Sequence, residues 1–185
     1  MGNFHLNLAV KTLNQGGIIA YPTEAVFGLG CLPEDVYSVA RILVLKGRSV
    51  RKGLILIAAK PEQFDSYVDY PDDELRQKVS ASWPGPVTWV LPATANTPGW
   101  ISGYKDTVAV RVSAHPIVQA LCNKVGVIVS TSANPTRKSP AMNAFKVRSY
   151  FGDEIDYILP GNTGSKTLPT EIRDAISGKV LRHGD

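Results

Sequence analysis

Apolar positions along the chain follow two alternating periods. Leu6, Val10 and Leu13 fall at helical spacing, so a helix is expected near residues 5–15, stopped by Gly16-Gly17. Ile18 to Tyr21 is a short apolar run, the pattern of a buried strand, and Pro22 ends its ladder because proline has no N–H to donate. Val36, Val39, Ala40, Leu43 and Val44 repeat at the spacing of an amphipathic helix. Pro33-Glu34-Asp35 suits its first turn, and it runs out at Lys46-Gly47-Arg48. Leu54–Ala58 reads as a buried strand, Asp72 to about Ala81 as a surface helix, and Trp83-Pro-Gly-Pro86 as a rigid turn. Val87–Leu91 and Val108–Val112 are two more strands. Ser113-Ala-His-Pro116 starts a helix that continues to about Lys124. Val127–Val129 is a strand followed at once by Ser130-Thr-Ser-Ala-Asn134. A helix near Asn143–Phe151, a strand near Ile155–Leu159 and a hairpin turning at Ser177-Gly178 complete the pattern.

Strands alternating with helices predict an α/β architecture. The tight turn at Ser177-Gly178 and the helix-free stretch from Val87 to Val112 add antiparallel pairs. The expectation is a single domain over residues 1–185, with a twisted mixed parallel and antiparallel sheet flanked by helices. The glycine- and proline-containing run from Thr94 to Gly103 reads as a surface loop. A 44% hydrophobic and 19% charged composition is ordinary for a chain with a proper core. No apolar run approaches the roughly 20 residues that span a bilayer, and Met1–Leu8 lacks the pattern of a secretory signal. A cytoplasmic protein with two free thiols, Cys31 and Cys122, is expected. The three histidines do not cluster, which argues against a zinc site. The net charge of +4 favours anionic ligands or a nucleic-acid face.

Five stretches carry candidate chemistry. Thr23 and Glu24 follow the first strand and enter a segment bounded by Gly28 and Gly30, either a ligand-site edge or an ordinary connection. Lys46, Arg48, Arg51 and Lys52 place four cations within seven residues. They are either a solvated helix end or an anion clamp. Arg111 interrupts an apolar strand, so it has either a carboxylate partner inside the fold or a pocket holding an anion. Ser130–Asn134 offers hydroxyls, an amide and backbone N–H groups to phosphate or carboxylate oxygens, or caps its own backbone. A similar group lies in Pro169–Asp174 with Arg182-His183. There is no Walker A sequence, no G-x-G-x-x-G and no nucleophile elbow. Cations plus hydroxyls, without an obvious covalent nucleophile, suit chemistry done by positioning and by neutralising phosphate charge.

Seven motifs occur in a fixed order: Tyr21–Gly30, Lys46-Gly-Arg48, Lys52-Gly-Leu54, Trp83–Thr88, Val108–Arg111, Ser130–Asn134 and Pro169–Asp174. Together they resemble the YrdC/TsaC family of threonylcarbamoyl-AMP synthases, in its short single-domain bacterial form, over nearly the whole chain. The resemblance implies a nucleotidyltransferase that makes threonylcarbamoyl-adenylate and pyrophosphate from L-threonine, bicarbonate and ATP. Partner threonylcarbamoyl-transferase proteins would then move the group to position 37 of tRNA. It also implies roles. Thr23 contacts threonine, and Arg111 engages the substrate carboxylate. Lys46, with Arg48 and Lys52, holds ATP phosphates. Ser132 and Asn134 line the pocket between threonine and nucleotide, Thr170 closes the threonine side, and Arg182 closes the nucleotide side. Mg²⁺ would arrive with ATP, since no protein cage for it is visible.

Two positions depart from the family pattern. Ser49 stands where proline often follows K-x-R, and Ser132-Ala-Asn-Pro-Thr-Arg137 replaces S-A-N-x-S-G. The C-terminal domain of long-form relatives is not expected beyond Asp185. Two other readings compete. One is a non-catalytic module binding tRNA or other RNA on a basic concave face. The other is a hydrolase using the Ser130–Ser132 hydroxyls, which has no nearby histidine base in sequence. Arg111→Ala is expected to cripple turnover while leaving the fold largely intact.

Overall fold

A computed structural model describes residues 3–165 and 170–184. Pro169, which opens the last motif, lies outside the described residues. The strands are β1 (Ile19–Pro22), β2 (Phe27–Gly30), β3 (Ile55–Ala58), β4 (Val87–Pro92), β5 (Thr107–Val112), β6 (Ile128–Ser132), β7 (Tyr157–Ile158), β8 (Glu171–Asp174) and β9 (Val180–Arg182). They form one sheet in the order β7-β1-β2-β6-β3-β5-β4-β8-β9. The pairs β1/β7, β3/β5 and β4/β8 are parallel, and the remaining neighbours are antiparallel. The helices are α1 (Asn3–Asn14), α2 (Val36–Lys46), α3 (Asp73–Ser80), α4 (Gly99–Ser102), α5 (Pro116–Val125) and α6 (Ala144–Phe151). This is the mixed α/β fold that the hydrophobic pattern predicts.

Two apolar clusters hold it together. The larger joins Val39 and Ile42 of α2 and Val147 of α6 to Leu56, Val110 and Val129 of the sheet. The smaller places Leu6, Ala9 and Leu13 of α1 and Leu121 of α5 on Ile19, Ile57 and Ile128, across the opposite sheet face. Each fully buried aliphatic side chain of this kind contributes roughly 1.5–3 kcal/mol relative to exposure.

Four local readings change. Asp35 does not sit in the first turn of α2: it is the N-cap, its carboxylate accepting from the N–H groups of Tyr37 and Ser38. Gly28 and Gly30 belong to β2, not to a loop. A Cβ at Gly30 would meet the Val129 carbonyl at 2.6 Å and the Tyr21 ring at 2.9 Å, so glycine lets the Tyr21 ring lie against the neighbouring strand. Ser130–Ser132 extend β6 and do not form a loop after it. The Thr94–Gly103 run is not wholly a surface loop. Its end winds into α4, with Ile101 and Ser102 buried.

Candidate functional site

Strand periodicity builds a cavity into one sheet face. Alternate residues of a strand share a face. Along β6, Ile128 lies in the smaller apolar cluster, while Ser130 and Ser132, on the same face, line a cavity. Along β3, Ile57 is in that cluster and Ile55 lines the cavity. On β5 the cavity face carries Thr107, Ala109 and Arg111, while Val108, Val110 and Val112 enter the larger core. The face therefore passes from apolar, beneath α1 and α5, to polar where those helices end. The cavity measures about 520 Å³, within the usual range for small-molecule sites.

Seven of the nine residues assigned from sequence line this cavity: Thr23, Arg48, Lys52, Arg111, Ser132, Thr170 and Arg182. Lys46 and Asn134 are not in its wall. Lys46 is 4% exposed, and its ammonium donates to the carbonyls of Ser132 and Asn134, the latter at 2.7 Å. It thereby holds the end of β6 from behind. Burial, helped by repulsion from Arg48, pushes its pKa down from 10.5 to about 8.

The other groups are each fixed locally. Thr23 begins the turn between β1 and β2, and its hydroxyl donates to the Val26 carbonyl at 2.7 Å. Its donor is spent, so its oxygen remains as an acceptor. Arg48 donates through Nε and Nη2 to the Gly53 carbonyl at 3.3 and 2.8 Å, and Arg182 through the same pair to the Thr170 carbonyl at 3.1 and 2.7 Å. The segment after Arg48 turns at Ser49, whose φ of −63 is the value a proline would impose. Its hydroxyl caps the following 3-10 turn by accepting from the Arg51 N–H. At the other departure, Thr136 Oγ1 donates to the Gly47 carbonyl at 3.1 Å. Arg137 takes φ +69, the left-handed conformation that glycine would occupy without strain.

Arg111 resolves the choice left open by sequence: it has a carboxylate partner and also lines the pocket. Its Nη1 meets Glu24 Oε2 at 2.9 Å, with the two side chains 6% and 12% exposed. The second Glu24 oxygen accepts from Ser113 Oγ at 2.7 Å and from the Ala114 N–H at 3.0 Å. Burial alone would raise the Glu24 carboxyl, but Arg111, Ser113 and the Ala114 N–H together hold it below the ordinary carboxylate value.

The cavity is strongly cationic. Lys105, which sequence did not single out, lines it beside Arg48, Lys52, Arg111 and Arg182, and Asp174 is the one carboxylate residue among the described lining. Lys105 falls between the run read as a surface loop, which ends at Gly103, and the strand read from Val108, so no pattern marked it. Gly103 packs with room for no Cβ against Arg51 and Gly53, and so brings the following residues over the Lys52 turn. Burial, Arg111 and Arg48 all lower the Arg182 pKa, so these guanidinium groups feel one another and an anionic ligand would relieve the repulsion. No histidine lines the cavity among the described residues, so Ser130 and Ser132 have no imidazole base there. Among the described residues no group of three or more His, Cys, Asp or Glu could hold a metal ion, and no helix is long and apolar enough to cross a membrane.

Comparison with known proteins adds the family. A family model described as "Telomere recombination", covering Sua5, YciO and YrdC, matches residues 11–184. A protein of Halorhodospira halophila named threonylcarbamoyl-AMP synthase is 52% identical over 97% of this chain and 94% of its own. One of the same name from Cellvibrio japonicus is 49% identical over 97% and 96%. The crystal structure of P. abyssi Sua5 complexed with L-threonine superposes with a TM-score of 0.92 at 31% identity, covering all of this chain, which spans 55% of the P. abyssi chain. With a family match over most of its length and relatives at about half identity, the chain belongs to the Sua5/YciO/YrdC family.

Proposed function

We propose that this chain is an L-threonylcarbamoyl-adenylate synthase whose reaction takes place in the cavity on the sheet. The threonine amine attacks the carbon of bicarbonate, and water leaves to give a carbamate. A carbamate oxygen then attacks the α-phosphorus of ATP. The bond from that phosphorus to the bridging oxygen breaks, and pyrophosphate departs with the electron pair. No protein nucleophile is required, only alignment and charge neutralisation.

The residues supply both. Arg111 holds the threonine carboxylate, while the Thr23 oxygen, its own proton already donated to Val26, accepts from the amine. Thr170 closes the threonine side, and Ser132 lies between the amino acid and the nucleotide. Arg48, Lys52, Lys105 and Arg182 surround the phosphates and oppose the charge that develops on the leaving pyrophosphate. Lys46 acts from behind the wall by fixing Ser132 and Asn134. Mg²⁺ enters as part of the ATP substrate: the one carboxylate among the described lining residues, Asp174, already accepts from the N–H and hydroxyl of Ser177.

The observation that carries this reading is the convergence of five cations and several hydroxyls, from segments far apart in sequence, on one cavity. The protein works in the cytoplasm, where ATP and tRNA occur. It passes the adenylate to threonylcarbamoyl-transferase partners, and the basic rim offers a face for tRNA. The purified chain should release pyrophosphate from ATP only when threonine and bicarbonate are both present. Release that ignores threonine, or salt-sensitive RNA binding without any turnover, would refute the enzyme.

A further inference from the structure

Glu24 does not line the cavity, yet its carboxylate is bonded directly to Arg111, which does. Its carboxylate is mostly buried and gathers three donors from the end of β5 and the residues after it: Arg111 Nη1, Ser113 Oγ and the Ala114 N–H. A buried ion pair is weak evidence for stability, since apolar residues of similar volume often serve as well. What this pair does is geometric. Glu24 sits on the β1–β2 turn directly after Thr23, and that turn is closed by both the N–H and the hydroxyl of Thr23 donating to Val26. The carboxylate thus joins the turn carrying Thr23 to the strand carrying Arg111. Those strands are not neighbours: β2, β6 and β3 lie between β1 and β5. The sheet ladder alone therefore leaves the spacing of Thr23 and Arg111 to the sum of several strand pairings, whereas the Glu24 bonds set it directly.

We propose that Glu24 is a positioning residue for the amino-acid substrate: by tying Arg111, Ser113 and Ala114 to the turn that carries Thr23, it sets the spacing between the group that takes the substrate carboxylate and the group that takes the amine. This rests on the reading of Arg111 and Thr23 as the two ends of the threonine site. Held by Ser113 and Ala114 on one oxygen, the Glu24 carboxylate presents the other to Arg111 and leaves the guanidinium little freedom to turn. An α-amino acid presents its amine and carboxylate at a fixed separation, so a small misplacement weakens both contacts together. The phosphate-binding groups Arg48, Lys52 and Arg182 belong to other segments and make none of these bonds.

Glu24→Gln keeps the shape and the acceptor for Ser113 and Ala114 but sets an amide against Arg111. Pyrophosphate release measured against threonine at saturating ATP and bicarbonate should show KM for threonine rising by about tenfold or more, the effect of leaving one buried charged donor unpaired. KM for ATP should stay within about twofold, and Glu24→Asp, which restores the charge, should recover part of the loss. An unchanged threonine KM, or equal losses for threonine and ATP, overturns the proposal. Should Glu24→Gln not fold, Ser113→Ala keeps the ion pair and removes one anchor of the carboxylate. It should raise threonine KM alone, and no change there is equally fatal. Arg111→Lys in the same assay separates the two levels. If it leaves threonine KM untouched, the reading of Arg111 as the carboxylate group has failed. If it raises that KM while Glu24→Gln does not, only the role of Glu24 has failed.

Discussion

Removing the charge of Arg111 tests the physics of the site apart from its chemistry. Arg111→Met keeps an aliphatic stem in place and deletes the guanidinium, so the partner Glu24, 12% exposed in the parent, is left without its cation. Breaking a buried pair from one side costs about 3–5 kcal/mol, because a charge is left without compensation. Ser113 and Ala114 still donate to Glu24, which places the expected loss at the lower end, about 3 kcal/mol. In a chain of this size that corresponds to a fall in Tm of roughly 6–12 °C. The pH dependence carries a sign. In the parent, Glu24 is held below its ordinary value, so its contribution is present above the unfolded pKa and lost as pH falls through the folded one. In Arg111→Met, burial acts without the cation and raises the Glu24 carboxyl. The folded variant then takes up a proton before the unfolded chain does, and it gains stability as pH falls toward the unfolded pKa. Urea unfolding of both proteins should show a gap of about 3 kcal/mol near pH 8 that narrows toward about pH 5. A gap below about 1 kcal/mol, the size of an exposed pair, or one that does not change with pH, would refute the reasoning.

Two further outcomes follow from the same structure. Lys46 has its pKa pushed down by burial to about 8 against an ordinary 10.5. Between those values the unfolded chain binds more protons, so the parent should gain stability with rising pH over that window, whereas Lys46→Met, measured by urea unfolding, should not; parallel curves would show that the ammonium pays no burial penalty. Arg137→Gly, at φ +69, should raise stability by up to about 1 kcal/mol, the left-handed strain relieved less the entropy of glycine in the unfolded chain. A thermal melt showing destabilisation would mean that the arginine side chain contributes more than its backbone costs.

Much of the fold could be read from local pattern. The spacing of Val36, Val39, Leu43 and Val44 marks α2, the apolar run at Val108–Val112 marks β5, and Ser177-Gly178 marks the hairpin between β8 and β9, because helices and strands impose their periods on neighbouring residues. β2 escaped notice because Phe27-Gly-Leu-Gly30 has turn-like composition, and its glycines make sense only once the Tyr21 ring lies over them. The boundary of β6 was misjudged for a related reason: Ser130 and Ser132 are polar because they face a cavity, which no local period can reveal.

The sequence by itself therefore determined most of the elements, the fold class and, largely through seven ordered motifs, most of the inventory of cations and hydroxyls. Only the tertiary structure decided which of them share a wall. Pairing β5 between β3 and β4 aimed Arg111 into the cavity, and the β1–β2 turn brought Glu24 to it from 87 residues away. Lys46, adjacent in sequence to the clamp at Arg48, went behind the wall instead, held by carbonyls 86 and 88 residues distant. Propensity acts over a few residues, whereas contacts between distant strands are set by how whole faces bury one another.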